Sequence, residues 1–377
     1  VSAARFDRIR LFKVARTVAE KPQEDCKGSW RRCSPASIPD FSAVAYFFGR
    51  HLHRELGVPI GLIQSAWGGT PAEAWTSTEA LAGTPELAPI LERWRKILAG
   101  YPEARRRHEQ RLAAWKKAPR AKRGRRPRPP RGPRHQHRPS GLYQGMIHPL
   151  TRLRTRGVIW YQGEANASRA YQYRTLFPLM IRDWRRAFGQ DRLPFLFVQL
   201  ANFKLRRGDG RSWAELREAQ LMTLAFPDTA MAVTIDIGNP ADIHPKNKQE
   251  VGRRLALAAL ARVHGRELVF SGPIYRSHRQ SGNTIVLEFD HVHGGLATRG
   301  SPVLEGFEIA GADRKFHPAK ARIRGDRVLV RSDKVGKPVA VRYAWADNPV
   351  CNLVNEAELP ASPFRTDDWP GVTREAR

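Results

Sequence analysis

Cysteine is scarce in this chain of 377 residues. Cys26, Cys33 and Cys351 are too few for a disulfide framework and stand at none of the spacings that hold zinc. Cys26 and Cys33 are near enough in sequence either to close a small loop in an oxidising compartment or to remain two half-buried thiols. No apolar run approaches the ~18 residues that a membrane-spanning helix needs. The first residues show no charged n-region followed by an apolar h-region. The chain opens on Val1 rather than methionine, which reads as a fragment or a processed form. No G-x-S-x-G occurs, so the nucleophile elbow of the α/β-hydrolases is absent. G-D-S is absent too, as is any glycine-rich loop that would cradle phosphate, and no cofactor is implied. Acidic residues are also in deficit, 36 against 65 Lys and Arg, for a net charge of +29.

What that charge means depends on where it sits. Residues 101–140 hold fifteen Lys and Arg against two acidic residues, and so supply +13 of the +29. This segment is rich in Pro, Arg and Gly, with too little apolar surface to offset its ordering entropy. Most of it is expected to be a disordered, solvated insertion, able to bind polyanions by counterion release. Elsewhere the surplus is spread thinly, with arginine often standing where lysine would serve as well.

The rest of the chain alternates apolar runs with amphipathic stretches. Residues 42–56 put Val44, Phe47, Phe48, Leu52 and Leu56 on one helical face, with Ser42 as cap and Gly57 as stop. A strand follows at 58–67. Strands are expected again at 156–163, 193–202 and 229–238, each leading to a helix, at 170–189, 212–226 and 244–265. Ser212 and Glu215 form the capping-box pattern. Continuous apolar strands alternating with helices predict a parallel sheet covered on both faces, an α/β/α layering. After about residue 268 short strands with Gly/Asp turns, "RGDR" (324–327) among them, predict a small antiparallel β-domain. The expected division is therefore 1–267 and 268–377.

In such a sheet, ligands bind beyond the C-terminal ends of the strands. Three loops fall there: "WGGTPAEAW" (67–75), "YQGEANA" (161–167) and "DIGNPADIHP" (236–245). The chemistry that they share is acyl transfer. The N–H groups of Gly68 and Gly69 can approach a developing oxyanion unobstructed, and Gln162 can donate its amide to the same oxygen. His244 suits a general base, with Asp242 fixing its tautomer, and a position at a helix start would disfavour the imidazolium. Gly163 and Glu164 complete the candidate substrate-binding set. Each part has a plainer reading: a turn, loop hydrogen bonders, a helix cap beside a surface histidine. Ser65 ends a strand without the tight turn that would expose its hydroxyl. His291 and His293 in "HVHGG" would share one face of a strand, but no third metal ligand stands at a recognisable spacing, so no metal site is expected.

The runs "VPIGLIQSAWGGTPAEAWTS", "RGVIWYQGEANA", "LPFLFVQLANF", "WAELREAQ" and "DIHPKNKQEVGRRLALAAL", with the tail "RYAWADNPVCNLVNEAELPASPFRTDDW", resemble the sialate O-acetylesterase family, a branch of the SGNH (GDSL-like) hydrolases. The resemblance spans nearly the whole chain apart from 101–140. It implies a three-layer α/β/α SGNH-type domain that removes O-acetyl groups from sialic acid or related sugars, secreted or periplasmic. It makes His244 the base, Asp242 its partner, and a glycine of WGGT and Gln162 oxyanion donors. In the family the nucleophilic serine lies in a Gly-Gln-Ser-Asn motif on the first strand, upstream of the equivalent of "RIRLFKV" (8–14). On that reading it precedes the residues given. Two departures stand out: the acid lies two residues before the histidine where three is common, and Ala165 replaces a frequent serine. A catalytically dead homologue that binds glycans or polyanions is the alternative.

Overall fold

The computed structural model describes residues 1–205 and 210–376. Strand β1 (Phe6–Lys13) pairs in parallel with β3 (Ile60–Gln64) and antiparallel with the edge strand β2 (Trp30–Cys33). Between them α1 (Ala43–Leu56) is capped by Ser42, whose hydroxyl accepts the Ala45 N–H, and stops at left-handed Gly57. Helices α2 (Thr78–Ala82), α3 (Ala88–Ala99) and α4 (Tyr101–Lys117) follow. A second parallel sheet then runs β4 (Val158–Trp160), β5 (Phe195–Val198) and β6 (Thr229–Ala232). Helices α5 (Ala170–Ala187), α6 (Ser212–Met222) and α7 (Lys248–Arg262) alternate with these strands.

Side-chain alternation along β5 divides the layers. Phe195 and Phe197 pack with Tyr173, Phe177 and Trp184 of α5 and Leu216 of α6. Leu196 and Val198 face the other way, onto Val251, Leu255 and Ala259 of α7 and Leu52 of α1. This is the expected three-layer arrangement. Strand β3 pairs only with β1 and β4 only with β5, so each leaves one edge without a strand among the described residues. Ile60 of β3 and Ile159 of β4 nevertheless pack against the same two apolar clusters.

The C-terminal part is antiparallel, as expected. Its strands are β7 (Ile274–Ser281), β8 (Thr284–Asp290), β9 (Leu296–Thr298), β10 (Phe307–Ala310), β11 (Phe316–Pro318), β12 (Lys320–Arg324), β13 (Arg327–Arg331), β14 (Ala340–Tyr343), β15 (Leu353–Asn355) and β16 (Phe364–Arg365). Two four-stranded sheets, β12-β13-β8-β7 and β11-β10-β14-β16, enclose a separate core built on Leu287, Ile309, Val330, Val341 and Phe364. Gly325 and Asp326 make the two-residue turn between β12 and β13.

Four expectations are corrected. The basic insertion is not mostly disordered: Tyr101–Lys117 is helical, with Pro102 in its first turn and ion pairs Glu103–Arg106, Glu103–Arg107 and Arg105–Glu109. Such exposed pairs add little individually, and polar anchors hold the rest. Trp115 donates to the Gly124 carbonyl (2.8 Å), and Ser140 N–H to that of Glu73 (2.9 Å). Low apolar content alone therefore does not make this segment disordered. Second, Ser212 is not a side-chain cap, and Glu215 closes no capping box. Its carboxylate accepts the N–H groups of Val372 and Thr373, so it anchors the C-terminal tail. Third, α7 starts at Lys248 under an Asn247 cap, leaving His244 in the preceding loop. His244 therefore has no helix N-terminus at its position to disfavour the imidazolium. Fourth, His291 and His293 do not share a strand face; they follow the end of β8, both with positive φ (59° and 21°).

Candidate active site

Residues of all three predicted loops line one cleft beyond the strand ends, and a buried polar network locks two of them together. Asn166 is its hub. Its Oδ1 accepts the Ala72 N–H (2.9 Å) and the Gln162 Nε2–H (2.7 Å), while its Nδ2 donates to Glu73 Oε2 (2.8 Å). Gln162 donates a second time to the Thr70 carbonyl (3.2 Å) and accepts from the Tyr173 hydroxyl (3.0 Å). Both amide N–H groups of Gln162 are thus spent inside the protein, where they brace the glycine loop. Glu73, 5 % exposed, also receives Arg169 (2.9 Å). Neither Glu73 nor Asn166 was singled out from the sequence, although both lie within the quoted motifs.

Gly69 sits at φ 72°, a conformation that side chains resist, and a Cβ on Gly68 or Gly69 would meet nothing within 4 Å. Both glycines are exposed, and neither N–H has an acceptor among the described residues. They are free to donate to a ligand. Gly163 has a different role: a Cβ there would lie 2.6 Å from Leu216 Cδ2 and 3.0 Å from Leu200 Cγ. It lets the loop pass close over the core rather than facing a substrate.

The third loop is fixed from behind. Asp236, just beyond β6, takes both arms of Arg254 (2.6 and 2.7 Å) and Arg299 (2.6 Å). Burial alone would raise its carboxyl, but the two guanidinium groups outweigh this and hold it below the usual carboxylate range. Arg254 also reaches the Val233 carbonyl and Glu250. Further along, Asp242 Oδ1 accepts the backbone N–H of His244 (2.9 Å) and lies 3.6 Å from His244 Nδ1. The His244 side chain is 86 % exposed. Burial raises Glu164 toward its neutral form, against the nearby charges of Lys248 and His244, which ties this loop electrostatically to 161–167. Lys248, depressed by its own burial, lies over the Tyr161 ring.

Ser65 donates its hydroxyl to the Met146 carbonyl (2.9 Å) rather than to a base. Beside the glycine loop opens a cleft of about 390 Å³ lined by Gly69, Glu73, Arg93, Trp94, Glu164 and Ile243, among others. Its outer wall is Arg131, His137 and Pro139, from the segment expected to be disordered.

Comparison with known proteins now bears on this geometry. A family model described as carbohydrate esterase, sialic acid-specific acetylesterase, matches residues 133–261. Rat sialate O-acetylesterase is 32 % identical over 96 % of this chain and 71 % of its own length. The human enzyme is 29 % identical over 98 % of the chain and 71 % of its own length.

The chain belongs to the sialate O-acetylesterase family.

It is accordingly an esterase. A carbohydrate acetylesterase from Xanthomonas citri of known structure superposes with a TM-score of 0.81 at 43 % identity, covering 98 % of this chain and 75 % of that one. The family match begins at residue 133 and so takes in His137, Asn166, Asp242 and His244. Among the described residues no helix is long and apolar enough to cross a membrane.

Proposed function

We propose that this chain removes O-acetyl groups from sialic acid or a related carbohydrate by a Ser-His-Asp mechanism, with His244 as general base. The observation that carries the reading is the convergence of the three loops, with two unengaged glycine N–H groups beside an Asp–His pair. In this mechanism a serine hydroxyl attacks the acetyl carbonyl as His244 takes its proton, and Gly68 and Gly69 N–H receive the oxyanion. His244 then protonates the leaving sugar oxygen, and water hydrolyses the acetyl-enzyme by the same route. Asp242 orients the imidazole once the ring turns its Nδ1 fully onto the carboxylate.

The family resemblance assigns the nucleophile to a serine upstream of residue 8, and Ser65, whose hydroxyl is donated to the Met146 carbonyl, is not used. β3 and β4 each have an edge without a strand among the described residues, and a strand added there, parallel to both, would deliver that serine's hydroxyl where the loops meet. Gln162 and Asn166 act in this scheme by positioning the glycines, and Glu164 by shaping the pocket. We further divide the protein into a hydrolase unit, 1–267, and a β-unit, 268–377, on their separate apolar cores. Its location, by the same family expectation, is secreted or periplasmic.

The test is acetate release from an O-acetylated sialic acid. Substituting His244→Ala should lower kcat by at least about 10³-fold while leaving stability within about 0.5 kcal/mol, because the ring is exposed. Full turnover in that variant, or turnover lost in Ser65→Ala, would overturn the assignment. Sugar binding with no acetate release by the natural protein would favour a binding-only homologue.

A further inference from the structure

The basic insertion lies against the glycine loop, and its contacts there follow a register. Residues 136–140 run alongside residues 68–73 at a nearly constant offset in sequence. Gln136 Nε2 reaches the Gly68 carbonyl at 3.5 Å, the His137 ring meets the Gly69 backbone, and Ser140 N–H donates to the Glu73 carbonyl at 2.9 Å. The segment is itself firmly held. Arg138 bridges to Glu20 (2.6 Å) and to the Pro133 carbonyl (3.1 Å), and His135 Nδ1 accepts the His137 N–H (3.0 Å). The Gly141 carbonyl accepts the Ala19 N–H (3.0 Å). Ser140 is buried at a positive φ of 64°, which a residue with a side chain adopts only where its surroundings fix it.

These contacts fall on carbonyls, and that decides where the N–H groups point. A trans peptide is planar, so its C=O and the N–H that follows face opposite ways. The Gly68 carbonyl and the Gly69 N–H belong to one such unit. A donor on that carbonyl turns the Gly69 N–H away from itself and polarises it into a stronger donor. The preceding unit is held by Thr70, whose Oγ1 donates to the Trp67 carbonyl (2.7 Å). The unit after it belongs to His137. Burial, then the charge of Arg131, hold this imidazole below the usual histidine range, so it is neutral at pH 7. The Gly69 backbone pulls the other way, as a carbonyl does when it accepts from the ring N–H. Gln162 donates to the Thr70 carbonyl (3.2 Å). The loop's acceptors are thus engaged in succession, while its glycine donors are left over. Glycine at φ 72° can swing freely unless the peptides on either side are pinned.

We propose that Gln136 and His137 are positioning residues that clamp the glycine loop, so that the Gly68 and Gly69 N–H groups stay aimed at the oxyanion. This rests on the esterase reading above and gives the basic insertion a part in the reaction. Both side chains act through the glycines.

The natural protein is assayed with a neutral aryl acetate. His137→Ala should lower kcat about tenfold, less than the roughly 10²–10³-fold that follows removal of a whole oxyanion donor, with KM unchanged within about twofold. Returning a side-chain N–H, as His137→Asn or His137→Gln, should recover most of the loss. Gln136→Ala should give a smaller fall, because its bond is long. NMR of isotope-labelled glycine amides reads the clamp without turnover: the Gly69 amide should shift in Gln136→Ala. Unchanged kcat in both alanine variants, or a loss that neither Asn nor Gln recovers, overturns the proposal and leaves the esterase reading intact. A protein that releases no acetate, yet whose Gly69 amide moves, would sink the esterase reading and leave the clamp standing; an unmoved amide there would sink both.

Discussion

Replacing Asn166 by aspartate tests the buried hub with a minimal change of shape. The new carboxylate keeps Oδ1, so the Ala72 and Gln162 donors lose nothing. The other side is different. Where Nδ2 donates to Glu73 Oε2 at 2.8 Å, two carboxylate oxygens would meet. At that separation, with an effective dielectric near 20, two full charges repel by about 6 kcal/mol. The protein avoids most of this by keeping one proton on the pair. Holding a proton at pH 7 on a group that ordinarily releases it near pH 3.9 costs about 4 kcal/mol. The cheaper route sets the net penalty, about 4 kcal/mol at neutral pH.

The sign of the pH dependence follows. In the unfolded variant both carboxyls ionise near pH 4, whereas the folded pair retains a proton to higher pH. The folded state therefore binds more protons, and the variant loses stability relative to wild type as pH rises from about 4 to 7. The slope approaches 1.4 kcal/mol per pH unit. Urea unfolding at fixed ionic strength across that range measures it. Asn166→Ala is the control: it breaks three hydrogen bonds (to Ala72, Gln162 and Glu73) and should destabilise by a pH-independent amount, about 3 kcal/mol. A pH-independent difference for Asn166→Asp, or one below about 1 kcal/mol at pH 7, would mean that Asn166 and Glu73 are not in contact.

Asp236→Asn should cost about 2–4 kcal/mol at pH 7 and flatten the acid side of the stability profile. Asp236 is held below its usual range, so its contribution is present at neutral pH and lost as pH falls through its folded value. An unchanged acid limb would exclude it. Glu215→Ala should release the tail that Glu215 holds at Val372 and Thr373, and carboxypeptidase should then trim the C-terminus faster; equal trimming rates would count against this anchor.

Much of the scaffold can be read directly from residue patterns. The α/β alternation appears because buried strands such as Phe195–Val198 are continuous apolar runs, and the three loops stand out as glycine and polar clusters that interrupt those runs. Other features depend on partners distant in sequence. The β1 alternation, with Ile9 and Leu11 buried between exposed Arg8 and Arg10, was visible, but its charges masked the pattern. The start of α7, expected at residue 244, falls at Lys248 because Asn247 caps it, its side chain accepting the Glu250 N–H. Glu73 and Asn166 lie 93 positions apart, and nothing local marks either as half of a pair. Arg93 and Arg131 enter the cleft only because α3 and the folded insertion converge there.

The abundance of arginine looked interchangeable with lysine, and Arg217 shows why it is not. Its side chain is fully buried, and four carbonyls accept from it: Leu200 from Nε (2.8 Å), Ala346 from Nη1 (2.7 Å), and Ala201 (2.9 Å) and Asp347 (2.8 Å) from Nη2. Two of these end the segment after β5 and two follow β14, so one planar group joins the hydrolase layers to the β-rich part. Burial pushes its pKa down to about 10, yet it stays charged at neutral pH, and each hydrogen bond keeps its charge-assisted strength. A lysine ammonium offers three donors on a single atom, so it can satisfy at most three of these four carbonyls. Arg217→Lys should therefore leave at least one buried carbonyl unpaired and cost about 1–3 kcal/mol, with unfolding midpoints of the two parts separating as their link weakens. A single cooperative transition within about 1 kcal/mol of wild type would show that lysine suffices and that this arginine is not the connector.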